Sequence, residues 1–145
     1  MPVTNPMTRA PALRSVPIFH RLPKATLFDV ARKAEEVKYP SGATVVREGD
    51  PGDALCIIVE GKVEVHTHGR LVAEMTAGDF FGEISLFDGR PRSATIVAVD
   101  DVVLLTISWP DFEALLDLPY VARAALKSLA ERVREAHDSH EQVTP

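Results

Sequence analysis

The sequence holds a single cysteine, Cys56, which excludes an internal disulfide and a multi-thiolate zinc site and gives no sign of an oxidising compartment. No apolar run approaches the roughly 20 residues that span a bilayer, and the first residues lack the apolar core of a signal peptide. Positive charge is in deficit. Lys and Arg number 16 against 21 Asp and Glu, a formal net charge of −5, so no basic field exists to gather DNA or an anionic membrane. Enzyme signatures are missing too. There is no Gly-x-Ser-x-Gly elbow, and Gly61-Lys62 is not a triphosphate loop because Cys56 stands where the earlier glycine belongs. Asp79 and Glu83 are an acid/base pair in principle only, since Asp79 follows Gly78 in a turn and nothing else suggests a cleft. These absences leave a non-catalytic domain, expected in the cytoplasm.

What is present is ordinary globular material, with 46% hydrophobic and 26% charged residues over 145 positions. A domain of that size buries roughly 68–70% of its unfolded surface, enough for a proper core. Residues 1–15, with Pro2, Pro6 and Pro11, are expected to be a flexible arm or linker, because proline lacks the donor that helices and ladders need. Leu22, Leu27, Val30 and Ala31 then recur at helical spacing, and Pro23 suits a first turn, so a short helix is expected over 24–34.

From Val37 the texture changes to short β-branched runs punctuated by Gly, Asp and Pro. Strands are expected at 43–47, 55–60, 62–66, 70–75, 94–99 and 102–108, with Thr67-His68-Gly69 as a hairpin tip. Many short strands in one domain suggest a sandwich, jelly roll or barrel. Beyond Trp109-Pro110-Asp111 the period is helical again. Phe112, Leu115 and Leu116 mark a short helix, and Leu126, Leu129, Val133 and Ala136 mark a longer one over 120–140. Its outer face is either solvated or a dimer or lid surface.

Chemistry concentrates between Phe81 and Ile96. Gly82 lets a backbone approach a ligand closely, and the small and acidic residues after it can open a helical turn whose first N–H groups favour an anion. Arg92 adds a rigid fork of donors suited to phosphate oxygens, while Glu83 can accept from a sugar hydroxyl. Donors for an anion beside a carboxylate for a hydroxyl are what a sugar phosphate requires. On spacing alone, Glu83 and Arg92 could equally pair with each other.

The stretch FGEISLFDGRPRSATIVA, 81–98, resembles the phosphate-binding cassette of the cyclic nucleotide-binding domain family, and VVREGDPGDALCIIVEG, 45–61, is similar to that family's glycine-punctuated turn and apolar strand. Cys56 departs mildly, standing where a branched or aromatic residue is usual. The resemblance spans about residues 16–140, leaving 141–145 as a tail. It implies an α+β fold: an eight-stranded β-roll or jelly roll flanked by an N-terminal helix and two C-terminal helices. It also implies a ligand, cyclic AMP before cyclic GMP, and no cofactor. Glu83 would take the ribose 2′-hydroxyl beside Gly82, and Arg92 with backbone N–H groups around Ile84, Ser85 and Ala94 would hold the phosphate. Ser93 would reach the phosphate or a guanine edge. Val65 and Val72 match base-wall positions, and Arg134 and His137 are the polar caps expected from the long helix.

Two other readings stand beside this one. His66, His68 and Glu74 suggest a cupin-like metal enzyme, although their spacing departs from that motif and solvent-facing histidines are common near a hairpin tip. A structural adaptor of the same fold, with a pocket that binds nothing, is the third class. No helix-turn-helix segment follows the long helix, so direct nucleic-acid contact by this chain is not expected. Output is expected through an effector domain or protein partner, with the long helix available for a homodimer.

Overall fold

Successive residues of the apolar run Ala54–Glu60 face two different cores, and the fold is organised around that strand. The computed structural model describes residues 6–14, 16–82 and 89–143. Among them, eight strands form two four-stranded antiparallel sheets. The strands are β1 (Glu35–Tyr39), β2 (Thr44–Val46), β3 (Ala54–Glu60), β4 (Lys62–Thr67), β5 (Arg70–Thr76), β6 (Phe80–Phe81), β7 (Thr95–Ala98) and β8 (Val102–Ser108). One sheet runs β1-β8-β3-β6 and the other β2-β7-β4-β5. This is the expected eight-stranded roll.

Leu55 and Ile57 of β3, with Leu105 and Ile107 of β8, pack outward against the helices. Cys56, Ile58 and Leu104, one residue out of step, close the interior between the sheets with Val63, Phe81 and Ile96. A strand buried on both faces reads as a continuous apolar run, which is why Leu55-Cys56-Ile57-Ile58 shows no polar alternation. Each such aliphatic side chain contributes about 1.5–3 kcal/mol by leaving water. Gly61 turns the chain from β3 into β4 at φ +92°, where a Cβ would strike the Asp101 carbonyl, so only glycine fits. The β4–β5 hairpin closes through His68 (φ 53°) and Gly69 (φ 78°), with Thr67 paired to Arg70. Two successive positive φ values match the twist that a two-residue hairpin loop needs.

The helices are α1 (Pro6–Arg14), α2 (Lys24–Lys33), α3 (Trp109–Leu115) and α4 (Pro119–Val143), with a 3-10 turn at Pro17–Phe19. Over residues 6–14, helix α1 stands where a flexible arm was expected; residues 1–5 and 15 lie outside the described residues. Its prolines misled: Pro11 costs one intrahelical bond, but Leu13 and Ala10 are buried against α2. Arg9 supplies the tertiary reason. Its Nη1 donates to the carbonyls of Ala31 (3.2 Å) and Ala34 (2.6 Å), which the end of α2 leaves without helical partners. Pro119 opens α4 at the position where its missing N–H costs nothing, and the helix runs to Val143, past the expected end at 140. Phe112 of α3 meets Phe19 edge to face at 6.4 Å, fixing the C-terminal helices to the 3-10 turn. Among the described residues, no helix is long and apolar enough to cross a membrane.

Candidate functional site

Arg92 is 8% exposed, an unusual place for a guanidinium. Its main chain is gripped from both sides by the turn after β2. The Gly49 N–H donates to the Arg92 carbonyl at 2.9 Å, and the Arg92 N–H donates to the Asp50 carbonyl at 2.7 Å. Nη2 then donates to the Ala54 carbonyl at the start of β3, 3.1 Å away. Nη1 is fully buried and finds no hydrogen-bond partner among the described residues. A buried donor left unmade costs about 1–3 kcal/mol, and more when charged. No acid pairs with Arg92 among the described residues. An anion supplied from outside would satisfy it.

Strand β6 delivers the second element. Phe81 pairs with Cys56 of β3, which sets Gly82 directly over the guanidinium. Gly82 has φ +98°, and a Cβ there would overlap Arg92 Nη1 and lie 2.7 Å from the Ala54 carbonyl. The sequence thus brings together Gly82 and Arg92, ten positions apart, through one short strand pairing. Cys56 forms part of the same floor, close enough to the Arg92 side chain to feel its charge. Burial pushes its thiol up to about 11, while the Arg92 charge pulls the other way. It is a buried, protonated thiol, not a nucleophile.

Of the other expected site residues, Glu83, Ile84 and Ser85 lie outside the described residues. Ser93 is exposed and Ala94 half-buried, both directly after Arg92. Val65 is half-buried on β4, opposite Ala73. Val72 is the extra residue of a bulge in β5, between the pairs Val65–Ala73 and His66–Leu71, and is 58% exposed. Arg134 is exposed on α4, and the His137 side chain lies outside the described residues. The turn that holds Arg92 was missed: Gly49-Asp50 reads from sequence as punctuation, and no local pattern shows that its amide and carbonyl face residue 92.

The metal reading fails on geometry. His66 Nε2 meets Glu64 (3.3 Å), His68 Nδ1 meets Glu48 (3.3 Å), and Glu74 is paired with Lys62 (2.7 Å). The three go to different partners, and no cluster of metal-ligating side chains exists among the described residues.

A family model described as the cyclic nucleotide-binding domain matches residues 36–118. A cyclic nucleotide-gated potassium channel of Rhizobium etli is 40% identical over 119 residues, 81% of this chain and 33% of the channel. The cyclic AMP receptor protein of Thermus thermophilus is 37% identical over 130 residues, 86% of this chain and 60% of that protein. The crystal structure of the N-terminal domain of a Streptomyces coelicolor transcriptional regulator superposes with a TM-score of 0.71 at 37% identity, covering 88% of this chain and 95% of that one. The chain spans between one third and three fifths of those two curated relatives.

Proposed function

The chain belongs to the cyclic nucleotide-binding domain family, and we propose that it binds cyclic AMP, with cyclic GMP as the second choice, and passes occupancy to an effector through α4. The observation that carries this reading is the buried Nη1 of Arg92, without a partner among the described residues and covered by Gly82. A cyclic phosphate brings one negative charge and oxygens able to accept from that fork. In this reading Glu83 takes the ribose 2′-hydroxyl. The N–H groups of Ile84, Ser85 and Ala94 complete the phosphate seat, and Ser93 contacts the phosphate or a guanine edge. Val65 and the bulged Val72 offer an apolar wall for the base, while Arg134 and His137 close over it from α4. The relatives named as a cyclic AMP receptor and a nucleotide-gated channel support the ligand class.

The role is regulatory and non-catalytic, in the cytoplasm, where a free thiol such as Cys56 stays reduced. The domain extends over 16–140, with α1 packed onto it and the end of α4 running on to Val143. Ligand favours the state in which α4 closes, and the coupling can be no larger than the ligand's difference in affinity between states. Typical couplings of about 1–3 kcal/mol change a partner's equilibrium roughly 5- to 150-fold. Leu126 and Val133, 68% and 69% exposed on α4, are available for a second copy of the chain. The test is calorimetric titration with cyclic AMP, cyclic GMP and linear AMP. Saturable binding of a cyclic nucleotide in preference to the linear one is expected; no binding of either cyclic form at millimolar concentration refutes the reading and leaves the ligand-free adaptor.

A further inference from the structure

A groove of about 790 Å³ runs between the 3-10 turn and the first half of α4, away from Arg92. Its floor is apolar, with Ile18 buried and Tyr120 and Ala124 half-buried. Its rim is basic. Arg21, Arg123 and Lys127 line it, all exposed, and none has an ion-pair partner among the described residues. Glu131 is the one acid on the lining, so three formal positive charges face one negative, on a chain whose formal net charge is −5. A local basic rim over an apolar floor on an acidic protein is selective: it attracts carboxylates, while the rest of the surface repels polyanions.

We propose that this groove docks an acidic amphipathic segment of a partner protein, with apolar side chains on Ile18, Tyr120 and Ala124 and carboxylates toward Arg21, Arg123 and Lys127. The spacing of 120, 124 and 127 on α4 puts floor and rim on neighbouring rows of one helix face, which suits a partner helix lying along it. A nucleic acid fits less well, because three cations on a net acidic chain gather few phosphates. One wall of the groove is α4, so its shape changes if that helix moves with nucleotide. That regulatory clause, and only that clause, rests on the proposed function.

The experiment is fluorescence anisotropy of the intact protein with a short labelled peptide carrying Leu and Glu at helical spacing. Its counterpart with Lys in place of Glu, and a single-stranded oligonucleotide, serve as competitors. Saturable binding of the acidic peptide is expected, weakening with salt and falling about tenfold in the double variant Arg123→Glu/Lys127→Glu. Both substitutions lie on the exposed rim, and an unchanged melting temperature verifies that the variant folds. Equal binding of acidic and basic peptides, displacement by the oligonucleotide, or an affinity indifferent to the charge reversal overturns the proposal. These titrations are run without nucleotide and read the groove alone. Cyclic AMP added afterwards should change peptide affinity, and peptide binding that ignores it overturns the regulatory clause while the groove stands.

Discussion

Alanine at Gly82 and alanine at Gly78 impose nearly the same backbone strain, because the two residues sit at φ +98° and φ +96°. They differ in what a methyl group would meet. At Gly78 there is nothing within 4 Å, whereas at Gly82 the Cβ would overlap Arg92 Nη1 and crowd the Ala54 carbonyl at 2.7 Å. Left-handed backbone costs an L-residue about 1–2 kcal/mol, and this is the whole expected cost of Gly78→Ala. Gly82→Ala carries that cost and must also push aside the guanidinium and the edge of β3, for which overpacking values of about 1–3 kcal/mol apply. The sum is about 2–5 kcal/mol. For a domain of this size each kcal/mol lowers Tm by roughly 2–4 °C, so the two variants should separate clearly in a melting scan. Binding separates them further. Gly78→Ala leaves the Arg92 fork in place and should keep cyclic nucleotide affinity within about twofold, while Gly82→Ala displaces the fork and should weaken binding by at least about tenfold, since 1.4 kcal/mol suffices for that. Identical losses in Tm and in affinity for both variants refute the claim that Gly82 is a glycine for the sake of Arg92.

Arg92→Met should abolish nucleotide binding yet raise Tm in the ligand-free protein. It removes a buried donor without a partner among the described residues, a gain of about 1–3 kcal/mol that exceeds the loss of about 0.5–1.5 kcal/mol with the Nη2 bond to the Ala54 carbonyl; a lower Tm would refute that balance. Cys56 holds its proton in the folded protein up to about 11, against an ordinary 9.0. The associated stability is therefore complete below pH 9 and lost as pH rises toward 11, a fall of about 3 kcal/mol in denaturant titrations that Cys56→Ala should flatten. Tyr39, also raised by burial, adds to the same alkaline loss. Arg9→Met should cost about 1–3 kcal/mol by releasing the Ala31 and Ala34 carbonyls, and its amide exchange should quicken at the end of α2; unaltered exchange there contradicts the capping role.

Local signals were legible where local physics decides. His68-Gly69 between two β-branched runs specified a hairpin, and the unbroken apolar run after Ala54 specified a strand with no solvent face. The β-roll, and the placing of Gly82 and Arg92 in one candidate site, followed from the cassette pattern; that Gly82 lies against the guanidinium itself did not, because the contact is made through the pairing of Phe81 with Cys56. Helix α1 was illegible because proline density argues for an arm, and what outweighs it is tertiary: Arg9 reaching carbonyls more than twenty residues away. Strand β1 was hidden by its charges. Glu-Glu-Val-Lys-Tyr lies at a sheet edge, paired among the described residues with β8 alone, where charged side chains break up the apolar alternation a strand would show. The grip of Gly49 and Asp50 on Arg92 was equally invisible, because main-chain partners leave no trace in residue type.

Adjacent residues of β3 belong to different compartments, odd-numbered ones to the helical layer and even-numbered ones to the chamber behind the arginine. The thickness of a single peptide plane is then all that separates the proposed ligand seat from the helical layer. Any roll of that ribbon at Cys56 moves Leu55 and Ile57 in the same instant. In the proposed switch, the two ends would communicate without a relay.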